Sequence, residues 1–128
     1  MLPKRILIID DEDDIREIAS MAFETADDPF EVSTARSGGE GIARAELERP
    51  DLILLDVMMP ELDGPATLGR LRGGSAHKVP VIFLTAKVQS AELKQLADHG
   101  ALGIIAKPFD PLTLPLQVAS LAGWPEGH

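Results

Sequence analysis

Ile6-Leu7-Ile8-Ile9-Asp10-Asp11, Leu52-Ile53-Leu54-Leu55-Asp56, Val81-Ile82-Phe83-Leu84-Thr85 and Ile104-Ile105-Ala106-Lys107-Pro108 carry the chain's architecture. Each is a short apolar run ending in a polar residue. Such runs suit strands covered on both faces, as in parallel sheets. In a parallel α/β sheet, functional groups gather beyond the carboxyl ends of the strands. Stacked in parallel, the four runs bring Asp10, Asp11, Asp56, Thr85 and Lys107 into one crevice. Three carboxylates, a hydroxyl and an ammonium suit a divalent cation and a phosphoryl group.

Between the runs lie helical patterns. Ile15, Ile18, Ala19, Ala22, Phe23 and Ala26 recur at helical spacing, which predicts helix one over about 12–26. Asp27-Asp28-Pro29 ends it. Phe30 to Thr34 reads as strand two. Ser37 is an N-cap with Glu40 three residues on, so helix two runs to about Glu48 and stops at Pro50. Strand three is Asp51 to Leu55. Helix three spans roughly Pro65 to Arg72, strand four Pro80 to Leu84, and helix four Ser90 to Asp98 with Gly100 closing it. Strand five is Gly103 to Ala106. Helix five has two readings. Asp110-Pro111 looks like a cap and first residue, yet Pro115 then sits inside the helix, where proline disrupts. The helix either starts late, at Thr113, or is kinked. Strand and helix alternate five times, which predicts a doubly wound α/β domain.

The chain has 128 residues, enough for one domain with a real core. No run of about 18 apolar residues is present, so no membrane span is expected. The start, Met1-Leu2-Pro3-Lys4-Arg5, lacks a signal-peptide layout. The absence of cysteine excludes disulfides and thiolate zinc sites and fits a reducing, cytoplasmic setting. A formal charge of −9 argues against direct nucleic-acid binding.

Singly, the strand-end residues have ordinary readings. Asp10 and Asp11 could cap helix one, with Glu12, Asp13 and Asp14 favouring its dipole. Thr85 could be a plain strand end and Lys107 a solvated loop cation. Together they favour function. Adjacent Asp10 and Asp11 cannot be equivalent, so one is expected in the crevice and the other beside helix one. Asp56 ends a buried strand and could attack phosphorus to form an acyl phosphate.

These residues carry a resemblance. Ile8-Ile9-Asp10-Asp11-Glu12, Leu54-Leu55-Asp56-Val57-Met58-Met59-Pro60 with Asp63-Gly64, Leu84-Thr85-Ala86, and Gly100-Ala101 followed by Lys107-Pro108-Phe109 resemble the receiver domain of two-component response regulators. The resemblance covers residues 4 to about 121. It implies a flavodoxin-like sheet in the order 2-1-3-4-5 with helices on both faces. It implies that Asp56 is the phosphoacceptor and that Asp10, Asp11, Asp56 and the backbone carbonyl of Met58 hold Mg²⁺, or Mn²⁺. Thr85 would follow the phosphoryl group, Lys107 would pair with it, and the Lys107–Pro108 bond would be cis. The implied partners are a histidine kinase or histidine phosphotransfer protein, and a downstream protein on the helix four, strand five and helix five face.

One position departs from the family. Three residues before the lysine, such domains usually carry Tyr or Phe; here it is Ile104. Ile104 is either ordinary core or a sign that helix four and the Ala86–Ser90 loop transmit the change instead. Met58 and Lys87, two residues beyond Asp56 and Thr85, are either solvated rim residues or modulators that shield the acyl phosphate and slow its hydrolysis. His77, His99 and His128 are assigned no phosphoryl role. No basic helix-turn-helix-like segment follows helix five, so residues 1–128 are expected to form a stand-alone receiver without an output domain. Two other classes compete. A phosphohydrolase would need a second acid after its nucleophile, and Val57 and Met58 stand there instead. A constitutive interaction module that no longer depends on phosphorylation is kept open by Ile104.

Overall fold

A computed structural model describes residues 3–76, 78–86 and 89–125. Five parallel strands form one sheet: β1 (Lys4–Ile9), β2 (Phe30–Ala35), β3 (Leu52–Asp56), β4 (Val81–Thr85) and β5 (Gly103–Ala106). Their order is β2-β1-β3-β4-β5. The helices are α1 (Asp13–Glu24), α2 (Gly38–Glu48), α3 (Gly64–Arg72), α4 (Ser90–Asp98) and α5 (Leu114–Ala122). The chain therefore has the flavodoxin-like, doubly wound topology, with β1 and β3 side by side at the switch in winding direction.

The continuous apolar strands divide by alternation. Ile6, Ile8, Leu52, Leu54, Ile82 and Leu84 point to one face and pack with Ala19, Phe23, Leu114 and Val118 of α1 and α5. Leu7, Ile9, Ile53, Leu55 and Phe83 point to the other and pack with Ala45, Leu68, Leu71 and Leu96 of α2, α3 and α4. The period of two along each strand produces this division and fixes the register.

Two strand boundaries that bear on the site differ from expectation. Strands β3 and β4 each end one residue later, so Asp56 and Thr85 belong to the sheet. The ladder continues past them: Val57 N–H donates to Leu84 O at 3.1 Å, and Lys107 N–H to Thr85 O at 2.8 Å. Of the two readings of helix five, the late start is the one observed: Thr113 precedes α5 and Pro115 lies in its first turn, where a missing N–H costs nothing. Asp110 instead closes the preceding turn: its Oδ1 accepts from Leu112 N–H at 2.9 Å, and its carbonyl from Thr113 and Leu114 N–H at 3.1 and 2.9 Å. Ser37 caps α2 as expected, accepting from Glu40 N–H at 3.1 Å, while the Glu40 carboxylate lies 3.9 Å from Arg36. Among the described residues, no helix is long and apolar enough to cross a membrane.

Candidate functional site at the strand ends

The ends of β1 and β3 place two carboxylates beneath the surface. Asp10 is fully buried and Asp56 is 3% exposed, while Asp11 is exposed. One ligand oxygen from each of the three lies within 4.8 Å of the others, and this is the one such acidic group among the described residues. The expected division of labour between the neighbours differs in one respect. Asp10 both faces the crevice and serves the start of α1, its Oδ1 accepting from Glu12 N–H at 2.9 Å. Asp11 reaches the same cluster from the solvent side.

Lys107 is no solvated loop cation. The chain after β5 turns at a cis Lys107–Pro108 bond. The lysine side chain is 11% exposed, and its Nζ lies 2.8 Å from Asp10 Oδ2 and 3.0 Å from Asp56 Oδ1. Thr85, also buried, ends β4 opposite Ala106, one register step beyond the Asp56–Leu84 pair. The structure thus gathers all five sequence candidates at one end of the sheet, and ties Asp10, Asp56 and Lys107 directly.

The electrostatics leave a deficit of positive charge. Burial, then the charge of Asp10, pushes the Asp56 carboxyl from its ordinary 3.8 up to about 7. Hydrogen bonding and attraction from Lys107 pull the other way. For Lys107, burial disfavours the ammonium, but its bonds and ion pairs with Asp10 and Asp56 outweigh this and raise its pKa. Among the described residues, one ammonium thus lies against this acidic trio, paired with Asp10 and Asp56. Asp56 Oδ2 is buried with no hydrogen-bond partner. A buried, unpartnered carboxylate oxygen inside an acidic trio is what a hard divalent cation satisfies, so these residues fit Mg²⁺.

The loop after Asp56 is held from several sides. Met58 N–H lies 3.4 Å from Asp56 Oδ1, while its side chain is 60% exposed at the rim. Leu62 N–H donates to Pro60 O at 2.7 Å, with Glu61 between them at φ 67°, so the chain reverses in a tight γ-turn. Asp63 then caps α3, accepting from Ala66 N–H at 2.9 Å. Ile104 is half-buried and packs with Ala101 against the core on the α4 side. Its other edge borders a surface groove with Leu116, Gln117 and Leu121. Lys87 and Val88, two of the five residues of the loop expected to transmit the change, lie outside the described residues, as do His77 and His128. His99 ends α4, its N–H on Leu96 O.

Sequence reasoning missed two residues that shape this loop, Gly64 and Gly38. A Cβ on Gly64 would lie 2.5 Å from Asp56 O, and one on Gly38 would lie 2.3 Å from Thr67 Oγ1. Only the Asp63-Gly64 pair in the motif hinted at the first.

Comparison with known proteins agrees with this arrangement. The family model of the response regulator receiver domain matches residues 6–119. The chain is 39% identical over 118 residues to the probable transcriptional regulator ycf27 of Cyanophora paradoxa, covering 92% of this chain and 48% of that protein. It is 36% identical to the alkaline phosphatase synthesis transcriptional regulatory protein PhoP of Bacillus subtilis, with the same coverage. The chain thus spans about half the length of the curated relatives it matches. Among solved structures, the chemotaxis protein CheY4 of Vibrio cholerae superposes with a TM-score of 0.86 at 31% identity, covering 94% of this chain and 99% of that one. The receiver domain of a signal transduction histidine kinase from Syntrophus aciditrophicus gives 0.80 at 31% identity, covering 94% and 90%. The chain belongs to the response regulator receiver domain family, the phosphorylation-dependent switches of two-component signalling.

Proposed function

We propose that Asp56 accepts a phosphoryl group from a phosphohistidine on a histidine kinase or phosphotransfer protein, with Mg²⁺ held by Asp10, Asp11, Asp56 and the Met58 carbonyl. The supporting observation is the Lys107 ammonium shared by Asp10 and Asp56, with Asp56 Oδ2 left buried and unpartnered. Mg²⁺ would supply the missing positive charge and neutralise phosphoryl oxygens in transfer.

The chain's own residues do the rest. A carboxylate oxygen of Asp56 attacks phosphorus, the P–N bond to the donor imidazole breaks, and the imidazole leaves with the electron pair. The product is an acyl phosphate on Asp56. Lys107, freed from one carboxylate charge, pairs with a phosphoryl oxygen. Thr85, one register step above Asp56, donates its hydroxyl to another. Water later attacks phosphorus and returns Asp56 to the carboxylate. The domain is a switch rather than a turnover enzyme, and works in the cytoplasm. Its output is a protein contact on the face made by α4, β5 and α5. The alternative, a constitutive interaction module, draws on Ile104, which lacks the ring and hydroxyl usual at that position.

Incubation with acetyl phosphate, with and without Mg²⁺, and intact-mass readout tests this. A Mg²⁺-dependent phosphate adduct, absent in Asp56→Asn, is expected. No adduct, where a known receiver is labelled under the same conditions, refutes the proposal and favours the constitutive module.

A further inference from the structure

The acidic trio supplies three of the four proposed metal ligands, but the fourth is a backbone carbonyl, and nothing in its own side chain aims it. Its place depends on the two peptide planes that lead from Asp56 into Met58. Two contacts grip that segment. On the sheet side, Val57 N–H donates to Leu84 O at 3.1 Å. On the other side, Gly64 N–H donates to Val57 O at 2.9 Å.

Gly64 is also pressed flat against the same peptide. A Cβ there would stand 2.5 Å from Asp56 O, 2.9 Å from Val57 Cα and 3.2 Å from Asp56 C. These are backbone atoms at the end of a central strand, and they cannot yield. The first residue of α3 therefore has to be glycine for the helix to seat on the Asp56–Val57 peptide. Behind it, Thr67 is fully buried, and its N–H and Oγ1 donate to Asp63 O at 2.9 and 2.7 Å. Thr67 is in turn backed by α2. A Cβ on Gly38 would meet Thr67 Oγ1 at 2.3 Å and Leu62 Cδ2 at 2.9 Å. Two glycines at the starts of α2 and α3 thus form a stack that ends on the phosphoacceptor's own carbonyl.

We infer that Gly64, backed by Gly38, is a positioning residue that holds the Val57–Met58 peptide, and so sets the place from which Met58 presents its carbonyl to the metal site. The inference rests on the reading of the Asp10, Asp11 and Asp56 cluster as a Mg²⁺ site. Its logic is that of outer-layer residues that orient a ligand without touching the metal.

The molecule contains its own controls. Gly39 in α2 and Gly69 in α3 have open space where a Cβ would go. Gly39→Ala and Gly69→Ala make the same chemical change on the same helices without the clash. Mg²⁺ titration by calorimetry, with thermal unfolding measured separately, compares these with Gly64→Ala and Gly38→Ala. The expected result is a Mg²⁺ dissociation constant raised about tenfold in Gly64→Ala, raised in the same direction in Gly38→Ala, and unchanged in both controls. In acetyl phosphate labelling, the Mg²⁺ concentration for half-maximal rate should rise while the rate at saturating Mg²⁺ holds. If Gly64→Ala does not fold, Gly38→Ala decides the matter, because side-chain atoms rather than backbone obstruct its Cβ. Wild-type protein that takes up no Mg²⁺ overturns the functional reading beneath the inference. Wild-type protein that binds Mg²⁺, with the folded variants at wild-type affinity or with an equal loss in Gly69→Ala, overturns the positioning role alone.

Discussion

Removing the charge of Asp56 should stabilise the metal-free domain, by an amount that depends on pH. The group is 3% exposed, and burial followed by the charge of Asp10 lifts its carboxyl from 3.8 to about 7. A folded-state pKa above the unfolded one means that the native state binds the proton more tightly. The resulting stability is fully present below the unfolded pKa of 3.8 and is lost as pH rises through about 7. At about 1.4 kcal/mol per unit, the ionised group above pH 7 carries a native-state penalty of up to ~4 kcal/mol. Asparagine has nearly the same shape, stays neutral and can still accept the Lys107 hydrogen bond, but leaves the ammonium with one carboxylate fewer. Asp56→Asn should therefore exceed wild type by about 2 kcal/mol at pH 8, with the gap closing toward pH 5. Urea unfolding followed by circular dichroism, in EDTA, measures it at both pH values. Millimolar Mg²⁺ at pH 8 should raise wild type and leave Asp56→Asn unmoved. A variant no more stable than wild type at pH 8, or a gap that does not change between pH 5 and 8, refutes the reasoning.

Three further outcomes are expected. Lys107→Met removes the one cation between Asp10 and Asp56 and should cost the metal-free domain about 3 kcal/mol at pH 8; urea unfolding checks this, and Mg²⁺ should recover part of the loss. Substituting Met58 and Lys87 together by alanine should shorten the acyl-phosphate half-life, followed by loss of the adduct mass after the donor is removed; an unchanged half-life counts against a shielding role. On phosphorylation, NMR shifts of Ala86, Gln89 and α4 should move more than those of Ile104; a still loop would return the transmission role to β5.

Much of the architecture is legible in the chain because the physics is local. Apolar runs of strand length admit one arrangement once both faces are covered, and their period of two divides the core between α1 with α5 and α2 with α3 and α4. Boundaries were less legible where a distant partner sets them. Asp56 and Thr85 belong to their strands only because Val57 and Lys107 find carbonyls on neighbouring strands. Asp110 has the pattern of a helix cap, yet its acceptors are consumed by the turn before α5, and only the cost of Pro115 deeper in the helix pointed to the later start. Gly38 and Gly64 follow the same logic: what forbids a side chain there is backbone or side chain brought in from another element.

The candidate site divides along the same line. Its membership could be read from the strand ends, since topology alone brings Asp10, Asp11, Asp56, Thr85 and Lys107 together. Its energetics could not, because they depend on burial that no single residue announces. Asp10, next to the exposed Asp11 in the chain, is fully buried, and Lys107 is drawn into the crevice rather than left in solvent. The consequence is a pocket in which, among the described residues, one ammonium meets three carboxylates. Without a cation, that pocket weakens the fold as it ionises; on the proposed reading, a divalent cation would balance the three carboxylates and the ammonium. A site whose native state is least comfortable when empty gains most from each ligand it takes up. Binding and stability are then linked through the same oxygens, and the change at Asp56 can shift the balance of the surrounding loops without any new contact far from it.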